Sequence, residues 1–138
     1  GSEWAHAIHN HLGGVPPVLD LNAEMTLAEI LVAGSREGFF SAAHDVSEGG
    51  IAQTIAEMAM AGRLGAALRP NSEVHTHLFS ESLGRLVLEV EAAHVSDVLA
   101  AIPGAHIIGS VTTTPFLVLP DNSALSIEAM LNVWQAPQ

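Results

Sequence analysis

The chain contains no cysteine and no lysine. Without cysteine there is no disulfide framework and no thiolate for nucleophilic, redox or metal chemistry, which suits a cytoplasmic, reducing compartment. Four basic residues, all arginine (Arg36, Arg63, Arg69 and Arg85), stand against 15 acidic ones, for a formal net charge of -11. A surface of that sign repels nucleic acid and anionic membranes, so neither is an expected partner. An anionic ligand here has to be held locally, by backbone N–H groups or a single arginine, against the overall field. No apolar run reaches the ~18–20 residues that span a bilayer. Glu3, His6, His9 and Asn10 interrupt any signal-peptide pattern at the N-terminus. Also missing are the GxSxG, P-loop, GxGxxG and HExxH signatures and any Cys–His pairing.

What is present suffices for one domain: 138 residues, 49% of them hydrophobic, is ample for a single core. Gly13-Gly14-Val15-Pro16-Pro17 is a strong break. Residues 1–17 are therefore expected as lead-in and linker and 18–138 as a single domain. The abrupt start and stop suggest a domain of something larger.

Period and punctuation predict the elements. Asp20 or Asn22 caps a helix over 22–36, with Met25, Ala28, Leu31 and Val32 inward and Gly34 and Gly38 weakening and ending it. Residues 39–43 read as a short buried strand, 44–50 as a turn, and 50–61 as an apolar helix with Ile51, Ile55, Met58 and Ala59 inward and Gly62 at its end. Strands are expected at 65–69, 85–90, 106–111 and 116–119. A short helix is expected around 73–77, another over 92–101 with Val95, Val98 and Leu99 on one face, and a last one over 126–134. Ser126 caps that last helix, with Ile127, Met130, Leu131 and Trp134 inward. This order predicts the α+β class, helices packed on a mixed β-sheet, with α/β as the near alternative.

The turn His44-Asp45-Val46-Ser47-Glu48-Gly49-Gly50 is the sharpest local feature. It joins a strand to a helix, the usual ligand-facing edge of such folds. Its glycines permit positive φ, and free N–H groups at the helix start favour an anion such as phosphate. Plain capping, with Ser47 as N-cap and His44 and Asp45 satisfying the turn, explains the same residues. His44, Asp45 and Ser47 sit too close in sequence for a hydrolytic triad, whose members orient one another across space. The second feature is Ser80-Glu81-Ser82-Leu83-Gly84-Arg85, where Arg85 pairs with phosphate or with Glu81, or the whole is a capped turn with a solvated arginine. His6, His9 and His11, and His75 with His77, can hold a metal adventitiously but show no designed spacing. His94 and His106 read as surface or strand-end residues. No catalytic residue and no metal ligand is assigned.

Residues 42–52 (AAHDVSEGGIA) followed by Ala56-Glu57-Met58-Ala59 resemble a motif of the phosphoribosylformylglycinamidine synthase family, which commonly has Asp where this chain has Glu48. Further matches run in the same order: Gly1-Ser2-Glu3-Trp4-Ala5 at the start of that family's last domain, Gly13-Gly14 with Pro16-Pro17 and Leu19-Asp20-Leu21 as its linker, Phe79-Ser80-Glu81-Ser82 with Arg85, and Ile108-Gly109-Ser110-Val111-Thr112. The resemblance covers nearly the whole chain. Aminoimidazole ribonucleotide synthetase belongs to the same superfamily, and its C-terminal domain sets the expected fold.

The resemblance implies the C-terminal domain of the second of two tandem copies in an ATP-dependent carbon–nitrogen ligase. That enzyme converts formylglycinamide ribonucleotide and glutamine-derived ammonia to the amidine in purine biosynthesis. It implies cytoplasmic location, and ATP and magnesium held mainly by ATP-binding domains outside this chain, with no cofactor bound tightly by the chain itself. It implies as partners those N-terminal domains of the same polypeptide, a glutaminase subunit and a small bridging subunit. His44, Asp45, Ser47, Gly49, Gly50, Ser80, Glu81, Ser82 and Arg85 become ligand or interface candidates. Where the first copy has Glu-Ser-Gln against substrate, this chain has Glu81-Ser82-Leu83, and leucine supplies neither donor nor acceptor. A half-site that supports a larger active centre is thus expected, inactive alone. The rival is a stand-alone nucleotide- or phosphate-binding or assembly module of the same fold.

Overall fold

A computed structural model describes residues 2–70 and 74–136, without the side chains of Val74 and His75. A first helix, α1 (Glu3–His9), opens on Ser2, whose hydroxyl accepts from the Ala5 amide. Residues 11–20 follow without regular structure, as the Gly-Gly and Pro-Pro pairs require. Helix α2 (Leu21–Glu37) starts where Asp20 accepts from the Asn22 and Ala23 amides and stops at Gly38 in the left-handed region. Gly34 stays inside this helix, buried, because a side chain there would run into the Phe40 ring.

Strand β1 (Ala42–Asp45) leads through the turn into α3 (Gly50–Gly62), then β2 (Gly65–Leu68), α4 (Val74–Phe79), β3 (Leu86–Glu89), a 3₁₀ turn at Ala92–His94, α5 (Val95–Ala101), β4 (Gly109–Thr112), β5 (Phe116–Val118), β6 (Ala124–Ser126) and α6 (Ile127–Trp134). The strands form two sheets. β1 and β3 make an antiparallel ribbon, with His44 opposite Val87 and Asp45 opposite Leu86. The other four run in the order β4-β2-β5-β6, with β2 and β5 parallel and the other neighbours antiparallel. The mixed sheet with packed helices is the α+β arrangement expected.

The core explains why α3 is the central element. Its Ile51 and Ile55 meet Val46, Leu78, Val87 and Leu117, so one helix touches the turn, α4, the ribbon and the four-stranded sheet. Further along, Ala59 and Met60 pack on Ile127 of α6. An open, mainly apolar cavity of about 890 Å³ lies between α2, α3, β3, α5 and β4, lined among others by Leu27, Ile30, Ile55, Val98, Arg85 and His77.

Several sequence expectations shift. The strand expected at 39–43 sits at 42–45, because Phe39 and Phe40 serve as packing groups before it: Phe39 faces the His94 ring at 5.7 Å and Phe40 lies on Gly34. The strand expected at 106–111 begins only at Gly109, where β2 is available to pair. β6 was not expected; three residues carry too little alternation to read. On α2, Met25, Ala28 and Val32 are exposed, and Leu27, Ile30 and Leu31 are the half-buried ones. The inward stripe lies about one position off the expected one. Leu99 and Trp134 are likewise exposed, while Val98 and Ile127 are buried. The helix expected around 73–77 is α4; Glu73 and the His75 side chain lie outside the described residues.

Leu117, 1% exposed, lies where the sheet meets α3. Leu117→Ala is expected to lower unfolding free energy by about 2–5 kcal/mol in chemical denaturation, the range for a buried leucine whose cavity cannot fully collapse. A second expectation concerns pH. Burial first, then the neighbouring His106 and Arg85, lower the His77 pKa from its ordinary 6.5. The unfolded chain therefore takes up a proton at His77 at higher pH than the folded one. That contribution to stability is full above about pH 6.5 and is lost as pH falls below it. Denaturation midpoints measured on either side of that value should show a smaller acid loss in His77→Asn than in the wild type.

Candidate functional site

The two segments singled out by sequence meet at one end of the β1–β3 ribbon. In an antiparallel pair, the end of one strand lies beside the start of the next. The Val46 amide donates to the Arg85 carbonyl at 3.0 Å, so the turn leaving β1 and the segment entering β3 begin side by side. Beyond that point they touch again. The Gly49 amide donates to Glu81 Oε1 at 2.9 Å. Gly50 has φ +66, and a Cβ built on it would stand 2.5 Å from the Leu78 carbonyl oxygen and 2.8 Å from that of Ser80. Both the conformation and the space demand glycine.

Within the turn, Ser47 Oγ donates to Asp45 Oδ2 at 3.0 Å. The expected N-cap role of Ser47 is not what the fold uses. Gly49 occupies the cap position with no side-chain cap, and Ser47 contributes its carbonyl, which accepts from the Gly50 amide. The amide of the cap residue itself is taken by Glu81, distant in sequence. The expected free N–H groups at this helix start are therefore engaged at Gly49 and Gly50 by groups of the chain itself.

His44 leaves β1 toward α3. Its Nδ1 lies 2.8 Å from the Asp45 carbonyl oxygen and its Nε2 3.0 Å from Glu57 Oε2. Both partners are acceptors, so a neutral ring satisfies one at a time and the imidazolium both. Glu57 is held in turn by Gln53, whose Nε2 donates to Oε1 at 2.8 Å. Thr54, 3% exposed, lies within 3.1 Å of the carbonyl oxygens of Asp45 and Gly50, tying the helix to both ends of the turn. Sequence reading missed Gln53, Thr54 and Glu57 as members of this site. The signal was available in principle: all three lie within two helical turns of Gly50, on the side facing back over β1.

Arg85 does not pair with Glu81. Its Nε donates to the Ser82 carbonyl at 3.3 Å and its terminal nitrogen to the Ser80 carbonyl, closing the 80–85 loop on itself. Burial lowers its pKa from the ordinary arginine value without removing its charge. Ser80 and Ser82 share a hydroxyl–hydroxyl contact of 2.8 Å, and Leu83 is half exposed. Asp45, Ser47, Glu48 and Ser82 are exposed. Among the described residues no group of three potential ligands is arranged to hold a metal ion. The site is thus a largely acidic edge, with its one guanidinium and the Gly49 and Gly50 amides occupied from within.

The model of the family described as "AIR synthase related protein, C-terminal domain" matches residues 1–121. The chain belongs to that family. It is 40% identical over 137 residues, 97% of its length, to the phosphoribosylformylglycinamidine synthase subunit PurL of Nocardioides sp., of which it covers 18%. It is 54% identical over 95 residues, 67% of its length, to the PurL subunit of Parafrankia sp., of which it covers 12%. The chain thus spans less than a fifth of these relatives. Among solved structures, Thermotoga maritima PurL complexed with ATP shares the fold at a TM-score of 0.75 and 23% identity, over 85% of this chain and 23% of that one. T. maritima PurL complexed with FGAR does so at 0.72 and 22%, over 83% and 22%.

Gly50→Ala is expected to cost at least about 2 kcal/mol of stability, since it adds positive-φ strain to a backbone overlap. Ala52→Gly, elsewhere on the same helix, serves as the control for a simple helix-propensity change of about 1 kcal/mol. Equal losses in urea denaturation of the two variants would show that the close approach at Gly50 is not a constraint.

Proposed function

We propose that this chain acts as the C-terminal domain of the second tandem copy in an ATP-dependent phosphoribosylformylglycinamidine synthase, a cytoplasmic carbon–nitrogen ligase of purine biosynthesis. The observation that carries the reading is the meeting of the 44–50 turn and the 80–85 segment at one edge, joined by the Glu81–Gly49 hydrogen bond. Two motifs of one family, more than thirty residues apart, would have no reason to converge if each were only a local cap. The relatives' name gives the product class, a phosphoribosylformylglycinamidine, and the proposed reaction is that ammonia derived from glutamine replaces the formylglycinamide oxygen of the ribonucleotide at the expense of ATP.

In this reading His44, Asp45, Ser47, Gly49, Gly50, Ser80, Glu81, Ser82 and Arg85 face the ATP-binding domains of the same polypeptide. ATP and Mg²⁺ are held mainly by those domains. What supports this division is chemical: Arg85 and the Gly49 amide, the groups in this chain best suited to a phosphate, already have partners. His44, fixed by Glu57, and the exposed carboxylates of Asp45 and Glu48 supply polar groups to the shared face. Residues 1–17 serve as the lead-in from the preceding domain and 18–138 as the domain proper. A chain of the structure described as PurLQS from Thermotoga maritima shares the fold at a TM-score of 0.72 and 20% identity, and a glutaminase subunit and a small bridging subunit are the partners proposed for this chain. Among the described residues no helix is long and apolar enough to cross a membrane.

The test is ATP-dependent amidine formation from formylglycinamide ribonucleotide and ammonia. The 138-residue chain alone should give no turnover. The full-length polypeptide that carries it should be active, and should lose at least about tenfold in rate with Gly50→Ala, equivalent to 1.4 kcal/mol in the barrier. Turnover by the isolated chain, or an inactive full-length protein, would overturn the proposal.

A further inference from the structure

The lead-in helix and the candidate turn share one acceptor. Glu81 Oε1 accepts from the Gly49 amide at 2.9 Å and from the Glu3 amide at 2.7 Å. The residues around Glu81 strengthen the connection. Leu78, 2% exposed, anchors the segment in the core. Phe79 stacks on Trp4 of α1, with ring centroids 5.9 Å apart and planes 18° from parallel. Trp4 in turn meets His9 at the other end of α1, edge-on at 4.6 Å. Arg85 and the serine pair hold the 80–82 backbone in place.

The Glu3 amide to Glu81 is the hydrogen bond seen between the α1 backbone and the body of the domain. The intervening residues 11–20 have no regular structure, and Val15 and Val18 are 93% exposed. Glu81 and the Trp4–Phe79 stack thus hold α1 to the domain, while the chain that connects it is irregular and exposed.

We propose that Glu81 is a two-ended latch, a positioning residue that couples the docking of the N-terminal helix to the conformation of the 44–50 turn. One carboxylate oxygen bonded to two amides restrains each through the other. Releasing α1 leaves Glu81 freer to turn away from Gly49, and disturbing the turn loosens α1. Such coupling is reciprocal by thermodynamic necessity. It gives whatever precedes residue 3 a mechanical route to the candidate site. The inference rests on the contacts alone and stands whether or not the chain serves the proposed synthetase.

Amide hydrogen exchange, resolved by residue in the 138-residue chain, tests it. Glu81→Ala should accelerate exchange at residues 3–9 and at Gly49–Gly50 together, by about tenfold, as expected for loss of a charge-assisted hydrogen bond. The β1–β3 amides should keep their wild-type rates. Trp4→Ala leaves Glu81 and the turn intact in sequence and removes the ring that α1 stacks on Phe79. It should still raise exchange at Gly49 by about threefold, a coupling of modest size. Unchanged exchange at Gly49 in Trp4→Ala overturns the latch, as does loss of protection at only one of the two places in Glu81→Ala. Where Glu81→Ala accelerates every amide alike, the whole domain has opened and the Trp4→Ala result decides.

Discussion

Gly50 sits with its Cα against the carbonyls of Leu78 and Ser80, and most of the candidate site follows from that contact. Because there is no side chain at 50, the start of α3 can press directly on the segment that ends α4. That approach places the Gly49 amide within reach of Glu81. It also sets the helix phase, so that Ile51 and Ile55 turn into the core while Gln53 and Glu57 turn toward His44. A methyl group at this position would push α3 away from the 78–80 backbone and separate all of these pairs at once. Helix position, core and polar network depend on one steric condition.

Electrostatics reinforce the same arrangement. The chain is strongly acidic, with a net charge of -11, and its candidate site concentrates carboxylates at Asp45, Glu48, Glu57 and Glu81. Three of the four have hydrogen-bond donors supplied by the fold: Ser47 to Asp45, Gln53 and the His44 ring to Glu57, and the Gly49 and Glu3 amides to Glu81. Distributing donors in this way reduces mutual repulsion that would otherwise splay the turn. Arg85, the nearest guanidinium, neutralises none of them directly and instead stiffens the loop through carbonyls. Order here comes from dipoles and neutral donors more than from ion pairs.

The sequence was most legible where a single residue type has a single mechanical use. A cap at Asp20 or Asn22, Gly38 as stop and Ser126 as cap follow from residue chemistry, and the fold uses Asp20, Gly38 and Ser126 in those places. The apolar face of α3 was readable because that helix is buried along much of its length. On α2 the period alone left the phase uncertain by a residue, since Met25 and Val32 are as apolar as the residues that turn inward. Strand ends moved because pairing partners, invisible in one strand's own sequence, decide where a ladder begins. In the site, the residues within the motifs were legible and the contacts between them were not. That Glu81 takes the Gly49 amide at the start of α3, and that Glu57 holds His44, are facts of tertiary approach.

The short β1–β3 ribbon has one more consequence. Side chains along a strand alternate, so alignment of its two halves is digital: it can be off by one residue or by none, with nothing between. Insertion of a single residue between His44 and the turn would place His44 on the opposite face from Glu57, and one in β3 would put Arg85 out of step with Val46. Substitution grades its effects; a frame error within these few residues would not. The lengths of the segments 42–50 and 80–89 should thus be less free to drift over evolutionary time than many of the residues that fill them.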